Sequence, residues 1–229
     1  LLGGMLMGYG FRDGLWPVPA SLEALDAAVS DVPVVLVSGD LQRLVDEDGV
    51  RGLTSNPAIF EKAVTSGTAY HDILIASDAH FADSQTLYER IVLRDIRDAA
   101  DVLRPVYDSS QGRDGYVSLE VSPGLARKDS GTLDEARRLW RAVDRPNLMI
   151  KAPGTPQAVD AVRRLITEGV NVNVTLLFSQ SAYEQFAESY MAGLETRGRE
   201  GGDLSRVASV ASFFVSRIDS AVDKLLSQR

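Results

Sequence analysis

The stretch that decides the fold is Arg145-Pro-Asn-Leu-Met-Ile-Lys-Ala-Pro153. Its apolar centre, Leu148 to Lys151, predicts a short buried strand that ends on a lysine. Side chains alternate between the faces of a strand, so Met149 and Lys151 share one face. Burial disfavours the charged form of a lysine, and a neutral lysine is a nucleophile. A lysine at a strand end can also simply reach water with its long stem, so the surrounding chain must decide between these interpretations.

Strand and helix patterns alternate on both sides of this stretch. Helical patterns include residues 40–48 and 85–108, where Pro105 should kink or end the helix, and residues 193–205 are predicted as a glycine-rich loop. Besides residues 148–151, strands are predicted at 34–37, 52–55, 116–121, 170–176 and 207–213. Such alternation predicts right-handed βαβ units with a parallel sheet, either an open doubly wound sheet or a (β/α)8 barrel. No Gly-x-Gly-x-x-Gly turn follows the first strand, which weakens the nucleotide-binding version of the open sheet.

The polar residues of the strands favour the barrel. Each strand from the second onward pairs an apolar face with a polar one, and the polar residues gather towards its C-terminal end: Asn56, Glu120, Lys151, Asn173 with Thr175, and Ser212. A single buried polar residue is usually a hydrogen-bonded part of a core. Five successive strands that deliver polar groups to one rim are typical of a barrel, whose active site lies at the strand C-termini.

These residue types suit carbonyl chemistry. A desolvated Lys151 can attack a carbonyl group and form a Schiff base, whose protonated imine withdraws electrons and permits cleavage of the bond between the next two carbons. Glu120 can move protons, directly or through water. Arg217 can bind a phosphate with its planar guanidinium group. No cofactor or metal is expected, because the sequence contains no cluster of metal ligands.

Composition excludes several other classes. The 229 residues carry a net charge of -8, which argues against nucleic acid as a partner. There is no cysteine, and the two histidines, His71 and His80, lie nine residues apart in a polar stretch and are expected at the surface. No apolar run reaches the roughly 20 residues of a membrane span. The first ten residues lack the basic start of a signal peptide, so the expected location is the cytoplasm.

Five motifs, in this order, resemble those of the transaldolases. Together they are specific, and the similarity runs from about Gly39 to the end of the chain. The motifs are Thr54-Ser-Asn-Pro57, Ser118-Leu-Glu-Val121, Leu148-Met-Ile-Lys151, Asn171-Val-Asn-Val-Thr-Leu-Leu-Phe178 and Ser212-Phe-Phe-Val-Ser-Arg217.

The resemblance implies a class I aldolase barrel of the pentose phosphate pathway, without a cofactor. Such an enzyme converts sedoheptulose 7-phosphate and glyceraldehyde 3-phosphate to erythrose 4-phosphate and fructose 6-phosphate by moving a dihydroxyacetone unit. Carried over to this sequence, Lys151 would form the Schiff base, and Glu120 and Thr175 would hold the catalytic water. The remaining motif residues would bind the substrate: Asn56, Asn173 and Ser212 its hydroxyl groups, Arg217 its phosphate, and Phe214 would line the site.

The N-terminal part departs from the family pattern. The family carries an aspartate at the end of its first strand, the acid/base of carbon–carbon cleavage, whereas residues 34–37 read Val-Val-Leu-Val and leave only Asp31 before and Asp40 after. Residues 1–38 are therefore interpreted as a divergent segment of one partial barrel domain, 1–229, with about six of the eight βα units. Open strand edges then predict self-association, and the missing aspartate predicts little turnover. A Schiff-base aldolase that cleaves without transfer and an inactive or weakly active barrel fragment remain alternatives.

Overall fold

The structure, a computed structural model, describes residues 40–55, 70, 84–122 and 129–228. Helices and strands alternate along these residues. In chain order the elements are α1 (Asp40–Glu47), β1 (Gly52–Thr54), α2 (Ser84–Ser109), β2 (Tyr116–Glu120), α3 (Asp129–Val143), β3 (Leu148–Pro153), α4 (Ala158–Glu168), β4 (Val172–Leu177), α5 (Gln180–Arg199), β5 (Ser209–Phe213) and α6 (Val215–Leu226).

The five described strands form one sheet in the order β1-β2-β3-β4-β5. The pairs β1–β2, β3–β4 and β4–β5 are parallel. A doubly wound sheet would interrupt chain order, so sequential order identifies an α/β fold of the incomplete (β/α)8 type, as predicted. The five predicted strands within the described residues are confirmed, and the strand predicted at 34–37 lies outside them.

The described residues divide into two compact units, those within 1–119 together with 142–148, and those within 120–141 together with 149–228. The prediction of one domain over 1–229 with a divergent segment 1–38 stays a prediction. Within the described residues, no helix combines the length and apolarity that a membrane crossing requires.

In the first unit, α2 contributes more buried apolar side chains than any other described element. Its inward face is fully buried along Ile91, Ile96, Ala99, Leu103 and Tyr107, the helical spacing that the sequence predicts. Of the two effects expected of Pro105, a kink or an end of the helix, the second is excluded, because α2 continues through Pro105 to Ser109. Buried side chains on both sides of the proline hold the last turn against the core, which offsets the missing backbone donor.

α2 also contains a buried acidic residue. Asp95 is buried in this core, and the Tyr70 hydroxyl donates a hydrogen bond of 2.5 Å to its Oδ2. Arg94 Nε lies 3.4 Å from Asp95 Oδ1, and its guanidinium group stacks 5.4 Å from the centre of the Tyr70 ring. Burial raises the pKa of the Asp95 carboxyl above its ordinary 3.8, against the opposing effect of the Tyr70 and Arg94 hydrogen bonds.

This shift predicts a pH-dependent contribution to stability. A carboxyl group with a raised pKa binds its proton more tightly in the folded chain, so its contribution is present below the unfolded pKa and is lost as pH rises through the folded pKa. We expect the wild type to lose free energy of unfolding relative to Asp95→Asn as pH rises from about 3.5 to 7. Urea denaturation of both proteins over this range measures the difference, and a difference that does not change with pH would contradict the assignment.

In the second unit, α4 and α5 pack closely against each other at Gly193. The Gly193 Cα leaves no room for a side chain, because an added Cβ would lie 2.7 Å from the Arg163 carbonyl oxygen and 2.8 Å from the Ile166 Cβ. The Ser189 hydroxyl donates to the Val159 carbonyl oxygen across the same contact, at 2.7 Å. The predicted loop at 193–205 is therefore wrong in its first half: α5 extends to Arg199, and its glycine serves helix packing.

Candidate active site

The second unit contains Glu120 at the end of β2 and the C-terminal ends of β3, β4 and β5. Parallel strands present their C-terminal ends at the same edge of a sheet. The register keeps the predicted polar positions in line, since Lys151 lies opposite Asn173 and Pro153 opposite Thr175. This edge therefore carries most of the residues that the sequence singles out.

Lys151 lies inside β3, and only 7% of its surface is exposed. Its neighbours Ile150 and Ala152 are fully buried, so its position depends on the strand rather than on solvent. The backbone N–H of Val121 donates to the Lys151 carbonyl oxygen at 3.1 Å, which ties β3 to the end of β2. This bond fixes the backbone position of Lys151 relative to the end of β2.

Glu120 is the acidic partner of this lysine. Its Oε2 lies 3.1 Å from the Lys151 Nζ, and 19% of the Glu120 side chain is exposed. A buried amino group is stabilised by a carboxylate at this distance. The distance also lies within the range over which a proton passes between a base and its partner, so the pair can exchange a proton without rearrangement.

A second polar pair lies beside the first. Asn173 is fully buried, and its Oδ1 accepts a hydrogen bond of 2.8 Å from the Ser212 hydroxyl, which is itself buried. Thr175, two residues further along β4 on the same face, is also buried. The hydrogen bond turns the amide group of Asn173, because its oxygen must face Ser212 and its NH₂ group must face elsewhere.

The end of β4 has a feature that no sequence pattern indicates. Leu176 adopts a left-handed backbone with a φ of 64°, and the pairing with β5 shifts register between Val174 and Leu177. The loop after β3 fits against this bulge: the Gly154 N–H donates to the Thr175 carbonyl oxygen at 2.6 Å. A Cβ on Gly154 would lie 2.8 Å from that oxygen, so only glycine permits this approach.

Phe214 is half-buried just after β5. Its N–H donates to the Leu177 carbonyl oxygen at 3.2 Å, and its ring stacks on Phe178 with centres 5.4 Å apart and planes 26° apart. The neighbouring Phe213 contacts the Tyr183 ring instead, at 5.5 Å. Phe178 was not singled out from the sequence, where it reads only as the end of a motif.

Of the remaining predicted residues, the structure describes only Asp40 in full. Asn56 and Asp31 lie outside the described residues, and so does the Arg217 side chain, although its backbone belongs to the first turn of α6. Asp40 begins α1, with 46% of its side chain exposed and its Oδ1 3.6 Å from Arg43 Nε. In the part of the chain that the structure describes, no group of three or more His, Cys, Asp or Glu side chains is arranged to hold a metal ion.

Comparison with known proteins identifies the family to which this chain is similar. Residues 35–229 match the model of the transaldolase/fructose-6-phosphate aldolase family. A transaldolase of Trichodesmium erythraeum is 48% identical over 196 residues, which are 85% of this chain and 51% of that protein. A transaldolase of Thiobacillus denitrificans is 51% identical over 84% of this chain and 54% of its own length. The transaldolase of Thermobifida fusca is 49% identical over 84% of this chain and 52% of its own length. The chain thus spans about half the length of these curated relatives.

Proposed function

The chain belongs to the transaldolase/fructose-6-phosphate aldolase family, and we propose that its Lys151 acts as a Schiff-base nucleophile on ketose phosphates. The observation that carries this proposal is the buried contact of 3.1 Å between Lys151 Nζ and Glu120 Oε2. A buried amino group with an adjacent carboxylate meets both needs of imine formation, a nucleophile and a group that moves protons.

The proposed reaction begins when Lys151 passes a proton to Glu120 and the freed amino group attacks the ketone carbon. The resulting carbinolamine loses its hydroxyl group as water, with a proton supplied from the Glu120 side, and leaves a protonated imine. Cleavage of the bond between the next two carbons sends its electron pair into the imine, which gives an enamine, while a base takes the proton of the hydroxyl group that becomes the aldehyde. The enamine then adds to a second aldehyde, and water releases the new ketose from Lys151.

The other buried polar groups have proposed roles in the same sequence. Thr175, with Glu120, holds the water that is lost and regained. Asn173, with Ser212 fixing its amide orientation, binds hydroxyl groups of the dihydroxyacetone unit, as does Asn56. Phe214 lines the site. Asp31 and Asp40 are the two candidates for the base of carbon–carbon cleavage.

The proposed substrates are sedoheptulose 7-phosphate with glyceraldehyde 3-phosphate, and fructose 6-phosphate with erythrose 4-phosphate in the reverse direction. The pentose phosphate pathway and a cytoplasmic location are part of this proposal. Incubation with fructose 6-phosphate, with and without erythrose 4-phosphate, tests transfer. Sedoheptulose 7-phosphate that forms only with the acceptor supports transfer. Glyceraldehyde 3-phosphate released at the same rate without the acceptor would support the aldolase alternative. The absence of product both with and without the acceptor would support an inactive chain.

Arg217 is proposed to bind the substrate phosphate, because the bidentate geometry of a guanidinium group matches phosphate oxygens. We expect Arg217→Ala to raise KM for fructose 6-phosphate by about tenfold or more, and to change KM for free dihydroxyacetone much less. Initial rates with both donors measure the two effects, and Arg199→Ala, at the exposed end of α5, is the control. Equal effects of Arg217→Ala on both donors would argue against a phosphate role.

Self-association is proposed as well. β5 stands at one end of the described sheet, where a strand offers unpaired backbone groups. The adjoining helix α6 exposes five apolar side chains: Val215, Ile218, Val222, Leu225 and Leu226. In this proposal a second copy of the chain covers both features. Sedimentation at increasing protein concentration tests it, and a mass that stays at that of the monomer would contradict it.

A further inference from the structure

A bulge ends β4, and an exposed aromatic ring follows it in the chain. A left-handed backbone is uncommon for a leucine, and such residues cluster where a structure holds a functional group in place. Leu176 takes this conformation with 39% of its surface exposed, while the next residue, Leu177, is fully buried and pairs with Phe213. The bulge therefore changes which side chains β4 directs inward after Thr175.

The result of this change is an aromatic pair at the strand ends. Phe178 leaves 49% of its surface in solvent, yet its ring stacks on Phe214 in a nearly parallel arrangement. The backbone beneath is joined as well, because the Phe214 N–H donates to the Leu177 carbonyl oxygen. The two strand ends are thus connected once through the backbone and once through the rings.

The location of this pair matters for the proposed site. Phe178 follows Thr175 by three residues, and Phe214 follows Ser212 by two. Phe214 is also the residue immediately before α6, whose first turn contains Arg217. A displacement of the Phe214 ring would therefore change both the wall of the site and the start of the helix that carries the proposed phosphate ligand.

We propose that Phe178 is a positioning residue for substrate binding, whose ring holds Phe214 in one orientation beside the substrate. The inference rests on the proposed function, in which Phe214 lines the site. Without the stacked ring, one face of Phe214 is left in water and its side chain gains access to other rotamers. The ordered orientation must then be regained each time a substrate binds, which weakens binding.

The chain offers a matched control. Tyr183 is a second aromatic residue of similar exposure, 43%, and it contacts Phe213, the residue before Phe214. Truncation of Tyr183 removes a comparable ring from the same surface without removing the partner of Phe214. Phe178→Tyr keeps the stacked ring, and Phe178→Leu keeps an apolar side chain of reduced size for the case in which Phe178→Ala does not fold.

The test is borohydride trapping of the full chain over a range of fructose 6-phosphate concentrations, followed by intact mass. We expect Phe178→Ala to raise the concentration that gives half-maximal trapping by roughly three- to tenfold, the range that aromatic pair energies correspond to. The maximal trapped fraction should stay unchanged, because the stacked ring is proposed to act on substrate binding and not on the attack by Lys151. Phe178→Tyr and Tyr183→Ala should behave as the wild type, and thermal denaturation should show that each variant is folded.

Two results would overturn the inference: an unchanged half-maximal concentration in folded Phe178→Ala or Phe178→Leu, or an equal rise in Tyr183→Ala. A wild-type chain that is never trapped would overturn the proposed function instead. Amide hydrogen exchange then decides the inference separately. Faster exchange of the Phe214 amide in Phe178→Ala, but not in Tyr183→Ala, supports the holding contact, and equal exchange in both proteins contradicts it.

Discussion

Replacing Lys151 by arginine should abolish covalent trapping of fructose 6-phosphate by borohydride while the chain stays folded. The guanidinium group of arginine remains protonated and has no free electron pair for attack on a carbonyl. It keeps a positive charge beside Glu120, whose carboxylate lies 3.1 Å from the present amino group. Loss of trapping would therefore report the missing nucleophile rather than an unpaired buried charge.

Two further variants complete this experiment. Lys151→Met removes the charge as well and should also fail to trap, although it leaves Glu120 without its partner and should be less stable. Lys224→Arg changes an exposed lysine on α6 and should trap as the wild type does. Undiminished mass gain in folded Lys151→Arg would show that another amine carries the adduct, and the assignment of Lys151 would be wrong.

Replacing Glu120 by glutamine should slow imine formation rather than prevent it. The amino group is still present, but loss of water from the carbinolamine requires a proton that an amide cannot supply or accept. Removal of a general acid or base typically costs about 10²- to 10⁴-fold in rate. Rapid mixing with fructose 6-phosphate, quenched with borohydride at increasing times, measures the rate, and the trapped fraction at long times should approach that of the wild type.

The control for this variant is Glu135→Gln in the same unit. The side chains of Glu135 and Glu120 are similarly exposed, 23% and 19%, and Glu135 Oε1 accepts a hydrogen bond from the Ser122 N–H. Its amide analogue keeps that acceptor and should trap at the wild-type rate. A rate for Glu120→Gln within a factor of about three of the wild type would remove Glu120 from the proton transfer.

Much of the arrangement of the candidate site follows from the alternation of side chains along the strands. Alternation alone places Asn173 and Thr175 on one face of β4, and the parallel register then sets Lys151 opposite Asn173. The contact between Lys151 and Glu120 follows from the same logic, because both residues lie near the C-terminal ends of neighbouring strands. Local patterns suffice here since each strand has one apolar and one polar face.

The features that sequence patterns do not predict depend on tertiary packing. The sequence pattern predicts a loop at Gly193, although its lack of a side chain is what lets α5 approach α4. The bulge at Leu176 has no sequence signal of its own, because leucine is not a residue that favours a left-handed backbone. The stacking of Phe178 on Phe214 follows from that bulge and could not be predicted without it.

Lys151 is proposed to form an imine with a ketose phosphate, and identification of the modified peptide by mass is the most direct test. The wild-type chain is incubated with fructose 6-phosphate, reduced with borohydride and digested, and the modified peptide is identified by mass. We expect a single substrate-dependent adduct on the peptide that contains Lys151, with a mass that corresponds to the reduced imine. No adduct, or an adduct on other lysines with Lys151 unmodified, would contradict this expectation.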